Sequence, residues 1–173
     1  MGQIDKPLPA KLIVGFIFKD ELVLEKAQTA LTKRFGKIDF KSPVIEFTYT
    51  DYYEKEFGIN LKRQFISFAK LIPQENLAGI KTFANAIELK LAQNRKRIIN
   101  IDPGYLELPK LILATTKNFS HRIYLSNGVY AETTLSYKGN TFKPYEWTYP
   151  DYRTAEYIEI FSRIREIYKK QIE

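Results

Sequence analysis

The sequence predicts an α+β fold: a ferredoxin-like βαββαβ core over about residues 11–102, extended by a β-hairpin region and a C-terminal helix. Short apolar runs alternate with two stretches of helical spacing, and an Asn-Gly dipeptide separates two strand-like segments. No linker, repeat or low-complexity segment interrupts the 173 residues. The two parts are therefore expected to share one core in a single domain, residues 1–173.

The first part contains six predicted elements in the order strand, helix, strand, strand, helix, strand. The first helix has its apolar residues at helical spacing and ends at Gly36. Residues 61–72 decide the order, because their aromatic residues favour a strand that Pro73 ends, whereas a helix there would exclude the ferredoxin-like pattern. The six elements are residues 11–18, 21–35, 44–50, 61–72, 75–93 and 97–101.

The second part of the sequence contains three predicted strands, a tight hairpin turn, a further turn at residues 138–140 and a closing helix. Asn127 and Gly128 form the turn, because both residue types tolerate the positive φ of a type I′ turn. The closing helix is amphipathic, with Asp151 or Thr154 as its N-cap. These elements are residues 111–116, 121–126, 129–137 and 154–170.

Composition excludes several classes of site. The chain has no cysteine, which excludes disulfides and zinc–thiolate centres. Its single histidine excludes HExxH zinc sites and phosphoesterases that need two histidines. The P-loop, the GxGxxG dinucleotide fingerprint and the GxSxG nucleophile elbow are also absent. No metal site is therefore assigned. A divalent metal on Asp102 and Glu132 stays an open alternative that no spacing rule supports, and no particular cofactor is indicated.

The net charge indicates the kind of partner, and the lengths of the apolar runs indicate the location of the protein in the cell. A net charge of +7 with a pI near 9.4 indicates an anionic partner such as a nucleotide, RNA or an acidic protein, unless the lysines serve solubility alone. Residues 1–11 lack the apolar segment of a signal peptide, and no apolar run reaches the ~20 residues of a membrane span. A cytoplasmic location without membrane contact is expected, and the oligomeric state is not indicated.

Asp102 is the first candidate site residue. Residues 97–101 are predicted as a strand, and Pro103-Gly104 as the turn that follows it. An aspartate at such a strand end is exposed for ligand binding. The alternative is that its carboxylate only accepts hydrogen bonds from the backbone of its own turn.

The densest group of polar side chains lies in residues 110–122, around one short apolar run. Threonine, lysine and arginine side chains at this density suit the recognition of phosphate or carboxylate groups. The alternative is an ordinary polar hairpin loop. The candidates in this segment are Lys110, Thr115, Thr116, Lys117, His121 and Arg122.

The hairpin register predicts a pair of side chains suited to acid–base chemistry. With a two-residue turn, His121 lies opposite Thr134, which places His121 and Glu132 on one face within reach of each other. Arg122 then points to the opposite face. His121 and Glu132 would act as general acid and base, with Lys117 stabilising negative charge. The alternative is a structural His121, packed singly under the loop of Trp147.

Two aromatic clusters are further candidates. Residues 145–152 contain Trp147, the only tryptophan, and would stack a base, cover a pocket or fold back onto the sheet to close the core. A weaker cluster combines Asp51-Tyr52-Tyr53 with Lys62-Arg63.

Several of these segments carry a family resemblance. Together they resemble a prokaryotic family catalogued as a domain of unknown function, family 4416, over nearly the whole chain. The resemblance implies no activity, cofactor or catalytic residue. The segments are NIDPGYL at 100–106, LATTK at 113–117, HRIYL at 121–125, AETTL at 131–135 and WTYPDY at 147–152.

The sequence thus predicts a site for a small anionic ligand, phosphate-bearing or nucleotide-like. If the site is enzymatic, His121 and Glu132 are its catalytic residues. The alternative is an RNA-binding or assembly module that uses the basic surface, although no RNP1-like run occurs. The predicted ligand-binding residues are Asp102, Lys110, Thr115, Thr116, Lys117, Arg122 and Trp147.

Overall fold

The structure is a computed structural model that describes residues 2–49 and 54–173, with the backbone alone for Glu54 and Lys55. Thr50 and the Asp51-Tyr52-Tyr53 part of the weaker aromatic cluster lie outside the described residues. The strands are β1 Lys11–Phe18, β2 Ile38–Lys41, β3 Ile45–Phe47, β4 Leu61–Phe68, β5 Ile99–Leu106, β6 Lys110–Thr115, β7 Arg122–Ser126, β8 Val129–Lys138 and β9 Thr141–Pro144. The helices are α1 Glu21–Phe35, the short α2 Glu54–Phe57, α3 Leu77–Leu91 and α4 Ala155–Ile172.

The nine strands of the described chain form one open antiparallel sheet, so the α+β class is confirmed. Its order is β2-β4-β1-β5-β6-β8-β7, with β3 also paired with β4 and β9 with β8. β4 confirms the strand on which the predicted order depends, although it ends at Phe68 and Ile72 adds only an isolated bridge to Ala10. β2 was not predicted, and β3 is shorter than the strand predicted at 44–50. The ferredoxin-like arrangement of residues 11–102 stays a prediction, because the sheet continues past β5 into β6, β8 and β7.

The apolar core lies on both faces of the sheet. Successive side chains of a strand point to opposite faces, so Leu12 of β1 packs with α1 and α3 whereas Ile13 packs with α4. Both faces of β1 are covered, and all eight of its residues are buried. The helices α1 and α3 share one face, as a βαββαβ pattern requires, and α4 covers part of the other.

The turn predicted at Pro103-Gly104 is wrong, because both residues lie inside β5. β5 pairs with β1 along its whole length, but it pairs with β6 only from Gly104 to Leu106. Pro103 has no N–H to donate, so the ladder with β6 stops there and the two strands separate. Gly104 permits the remaining contact, since a Cβ at this position would lie 2.3 Å from the carbonyl oxygen of Ile112.

The hairpin between β7 and β8 confirms the turn and contradicts the predicted faces. Asn127 and Gly128 have φ of +54° and +73°, as a type I′ turn requires, and Ser126 pairs with Val129. A bulge between Tyr124 and Ser126 then shifts the register by one residue. Because such a slip exchanges the two faces of a strand, Arg122 pairs with Glu132 and shares its face. The predicted pairing of His121 with Thr134 is wrong for the same reason.

The last helix begins with the cap that the sequence offers. The Thr154 hydroxyl accepts a hydrogen bond from the N–H of Tyr157, and Asp151 lies in the 3-10 turn before it, Asp151–Arg153. Among the helices of the described residues, none has the length and apolarity that crossing a membrane requires.

Candidate functional site

A cavity of about 690 Å³ opens where β5 and β6 separate. Its volume lies within the usual range of small-molecule sites, roughly 300–1,000 Å³. Residues of β1 and of β3 to β8 line it from the sheet, α3 from one side, and the segment 149–152 from another. Proline at position 103 thus creates the space by ending a strand ladder.

The cavity wall carries nearly balanced charge. Among its described lining residues, five are cationic and four are carboxylates. Aromatic side chains, Phe47, Tyr49, Tyr149 and Tyr152, and a few aliphatic ones complete the wall. The cations are Arg63, Lys81, Arg97, Lys117 and Arg122, and the carboxylates are Glu88, Asp102, Glu132 and Asp151.

Arg63 of β4 is the most deeply buried of these cations, at 1% exposure. Room for its guanidinium comes from Gly15 on the adjacent β1, where a Cβ would lie 3.0 Å from Nη2 of Arg63. The guanidinium lies 4.7 Å from the centre of the Phe65 ring and 5.3 Å from that of Tyr152. Aromatic rings thus surround the guanidinium of Arg63, and one of them, Tyr152, also lines the cavity.

The hydrogen bonding of Arg63 is incomplete. Its Nη2 donates to the Tyr152 hydroxyl at 2.5 Å, and its Nη1 lies 3.7 Å from Asp102, beyond hydrogen-bond distance. Its Nε is buried and has no hydrogen-bond partner among the described residues. Burial by itself lowers the pKa of Arg63, but Tyr152, Tyr157, Asp151 and Asp102 more than offset that effect, so its pKa is raised. The group stays charged with donors unused.

Asp102, in contrast, is held by several donors. Asn100 donates to its carboxylate at 2.6 Å, and the Lys81 ammonium lies 3.4 Å away. Lys81 also donates to the backbone carbonyl of Ile101 at 2.9 Å, so it reaches from α3 to β5. Asp102 remains one-quarter exposed, with a side chain at the cavity wall.

A second ion-pair group closes another part of the wall. Arg97 binds Glu56 through two hydrogen bonds of 2.8 and 2.7 Å and contacts Glu88 at 3.1 Å. Glu88 also accepts from the N–H of Ile101 at 2.6 Å. Burial raises the pKa of Glu88, and Lys81, the Ile101 N–H and Arg97 partly counteract that effect. This group is well paired and acts as scaffold.

Glu132 is the centre of a third group, in which it contacts Arg122 and His121. Its Oε2 lies 2.8 Å from Nε of Arg122 and 3.1 Å from Nε2 of His121. Arg122 also donates to the carbonyl of Lys117 at 2.9 Å and to the Tyr149 hydroxyl at 3.0 Å. Arg122 thereby ties the loop after β6 to the segment that precedes α4.

His121 lies behind Glu132 and stacks on Trp147. The two rings are 5.0 Å apart at 11°, and Trp147 in turn stacks on Tyr145 at 4.7 Å. The indole N–H donates to the carbonyl of Thr133 at 2.8 Å. His121 thus has both the carboxylate partner and the Trp147 contact that the sequence analysis treated as alternatives.

Asp151 is a buried carboxylate with little neutralisation, at 6% exposure. No side chain of the described residues forms an ion pair with it, and backbone N–H groups are its hydrogen-bond donors. Burial raises the pKa of Asp151, and the charge of Arg63 partly offsets this. Its neighbour Tyr152 binds Arg63 directly, so both groups lie at the same end of the cavity.

The structure brings together six of the nine predicted site residues. Asp102, Thr115, Thr116, Lys117, Arg122 and Glu132 line the cavity. His121 and Trp147 lie behind Glu132, and Lys110 pairs with Glu107 at 3.1 Å outside the lining.

Several lining residues were missed by sequence reasoning or noted only weakly. Arg63 belonged to the weaker cluster, and Asp151 was considered as a helix cap. Lys81 and Glu88 carried a usable signal, because charged residues seven positions apart lie on the same side of α3 as its apolar stripe. The sequence carries no such signal for Arg97, Asn85 or Asn100. Within the described chain, no group of three or more metal-ligating side chains occurs.

By its fold the chain is a mixed α+β protein with an open antiparallel sheet, and the charged cavity lies at the division of that sheet. Within this class, it belongs to the family described as Domain of unknown function (DUF4416), whose model matches residues 8–168. Comparisons with curated proteins and with solved structures gave no significant match.

Proposed function

We propose that this protein binds a small anionic ligand in the cavity, with Arg63 as the principal anion-binding residue. The observation that carries the proposal is the buried guanidinium of a cavity-lining arginine. Its one hydrogen-bond partner is neutral, its Nη1 lies 3.7 Å from Asp102, and its Nε has no partner among the described residues. A buried charge without full pairing is unfavourable for folding. A carboxylate or phosphate group of a ligand supplies the missing acceptors in the forked geometry that arginine prefers.

The rest of the cavity supports a ligand of metabolite size. Thr115, Thr116 and Lys117 lie on the wall contributed by β6 and the following loop. Tyr49, Tyr149 and Tyr152 offer aromatic surface for the body of a ligand. A cytoplasmic location is part of this proposal, and the absence of cysteine accords with a reducing compartment.

A catalytic role of His121 with Glu132 stays a prediction. Glu132 lines the cavity, but His121 does not, and Arg122 occupies the same carboxylate oxygen. This arrangement supports a positioning role, in which Glu132 orients Arg122, and His121, stacked on Trp147, holds Glu132 in place.

The RNA-binding alternative depends on exposed surface. Phe119 and Tyr124 near the hairpin are 64% and 58% exposed, and the chain carries net positive charge. The charged groups described above, however, converge in a concave cavity and not on a flat sheet face. That concentration favours a small ligand.

Calorimetric titration with a panel of carboxylates, phosphate esters and nucleotides tests the proposal. Arg63→Met should weaken the binding of any ligand found by about tenfold or more, and Arg63→Lys should weaken it less. Arg163→Met is a matched control, because Arg163 is exposed and pairs only with Glu159 of its own helix. Equal binding by wild type and Arg63→Met would contradict the proposal.

The salt dependence of the binding affinity distinguishes RNA from a small ligand as the partner. Affinity for RNA should fall steeply with salt and rise with oligonucleotide length, because counterion release scales with the number of phosphate contacts. A small ligand in the cavity should show a shallow salt dependence and no length preference. Tight, length-dependent oligonucleotide binding would overturn the proposal in favour of an RNA-binding module.

A further inference from the structure

We propose that the ligand is zwitterionic, with an ammonium group accepted by Asp151 beside the anionic group bound by Arg63. This inference rests on the proposed function and names its ligand class: amino acids and small amino-phosphates. It comes from the charge of the cavity as a whole, together with two buried groups at one end of it, Arg63 and Asp151, that form no direct ion pair with each other.

The charge of the wall opposes a highly anionic ligand. Five cations and four carboxylates line the cavity among the described residues. Arg97, Arg122 and Lys81 already hold Glu88, Glu132 and Asp102, respectively. A polyphosphate would therefore meet four carboxylates with only part of the positive charge available to it. A ligand of low net charge fits this wall better.

Arg63 and Asp151 are the buried charged groups of the wall that these pairs leave out; the nearest carboxylate to Arg63 among the described ion pairs is Asp102, at 3.7 Å. Arg63 has an unpaired Nε, and Asp151 forms no ion pair with any described side chain, although both are more than nine-tenths buried. They flank Tyr152, which follows Asp151 in the chain and accepts the hydrogen bond from Arg63. Both therefore lie at the same end of the cavity, where each stabilises the charge of the other without a direct ion pair.

Asp102 makes this end suitable for a cation as well as an anion. Its carboxylate is one-quarter exposed and lies 3.7 Å from Nη1 of Arg63. An ammonium group near Asp151 would thus have a second acceptor close by, and an anionic group on the same small molecule would reach Arg63. An α-amino acid or a phosphorylated amine carries its two charges at this short separation.

Matched ligand pairs that differ in one amino group test the inference. The pairs are glutamate and glutarate, aspartate and succinate, and phosphoethanolamine and ethyl phosphate. Each is titrated calorimetrically into the full chain as wild type, Asp151→Asn and Arg63→Met. The wild type should bind the amino member of at least one pair about tenfold or more tightly, as expected for a buried charge-assisted contact.

The variants distinguish the inference from the proposed function. Asp151→Asn should bring the two members of the pair to within about twofold while the amino-free member still binds, and Arg63→Met should weaken both. Equal binding of both members by the wild type would overturn the zwitterion inference and leave anion binding intact. If no pair binds in a manner that depends on Arg63, both are overturned. Circular dichroism of each variant verifies that it is folded.

Discussion

The guanidinium of Arg63 donates a 2.5 Å hydrogen bond to the hydroxyl of Tyr152, 89 residues later in the chain. This contact joins β4 to the 3-10 turn before α4. It is buried on both sides, and Tyr152 is 3% exposed. Burial keeps the pKa of Tyr152 well above its ordinary value of 10.0, so the hydroxyl stays neutral and does not neutralise the guanidinium. The pair holds a positive charge at the cavity wall.

The first prediction is that Arg63 does not stabilise the fold. Replacing both members of a buried polar pair by apolar groups of similar shape is often neutral or stabilising. Arg63→Met with Tyr152→Phe should therefore leave the free energy of unfolding within about 1 kcal/mol of wild type or raise it. Arg63→Met alone should be less stable than the double variant by about 1–2 kcal/mol, because it leaves the Tyr152 hydroxyl without its partner. Urea denaturation measures both. A loss above about 3 kcal/mol in the double variant would show a structural role.

The second prediction concerns Gly104 at the division of the sheet. An added Cβ would lie 2.3 Å from the Ile112 carbonyl oxygen and 2.8 Å from Leu113, so β5 and β6 would have to separate. Gly104→Ala should destabilise the chain by about 2 kcal/mol or more in urea denaturation. Gly79→Ala is the matched control, because nothing lies within 4 Å of its added Cβ in α3, and it should stabilise by about 0.5–1 kcal/mol. Equal effects of the two substitutions would contradict the close approach of β5 and β6.

The third prediction is a pH dependence caused by Asp151. Its pKa is raised in the folded chain from the ordinary value of 3.8, mainly by burial, so the folded state holds the proton more tightly than the unfolded state. The associated stability is present below pH 3.8 and is lost as the pH rises through the raised pKa. Asparagine has no such proton. The melting temperature of Asp151→Asn relative to wild type should therefore rise as the pH increases above 3.8.

Thermal melts of both proteins between pH 4 and 8 test this prediction. Glu88, whose pKa is also raised by burial, is present in both proteins, so its effect on the melting temperature cancels in the difference. A difference in melting temperature that stays constant across this range would contradict a raised pKa of Asp151.

The fourth prediction separates positioning from ligand binding at Glu132. His121→Ala removes the stack on Trp147 but leaves Glu132 paired with Arg122, so it should lower stability by about 1 kcal/mol without changing anion affinity. Glu132→Gln leaves Arg122 without its carboxylate in a nearly buried place, so its loss should be larger, about 3 kcal/mol. Denaturation and calorimetric titration are measured on both variants. A strong loss of ligand affinity in His121→Ala at unchanged stability would instead show that His121 belongs to the ligand site, and would contradict the positioning role.

The elements were predictable because their signals are local. The apolar runs of β1 and β4, the helical spacing of α1 and α3 and the Asn127-Gly128 turn each depend on neighbouring residues, and the structure confirms them. The prediction of a turn at Pro103-Gly104 was wrong, because this dipeptide also suits the point in a strand where pairing with one of its two neighbouring strands ends. There, the absent N–H of proline ends a ladder and the absent Cβ of glycine permits a close approach.

The site was predicted in part, and the register explains the limit. The sequence brought His121 and Glu132 together, and their contact is present at 3.1 Å. The sequence predicted Arg122 on the face opposite to Glu132. One bulged residue in β7 places the two on the same face, because a slip of one residue exchanges the faces of a strand. Nothing in the sequence indicates that bulge.

The sequence by itself determined most of the secondary elements, the α+β class, the family and part of the cavity wall, because these depend on periodicity, turn chemistry and motifs read along the chain. Only the tertiary structure decided which charges meet. Arg63, Asp102 and Asp151 come from three distant segments, and their approach depends on the sheet order and on the place where β5 leaves β6. The burial that leaves Arg63 and Asp151 incompletely paired is a property of that packing, and no local pattern encodes it.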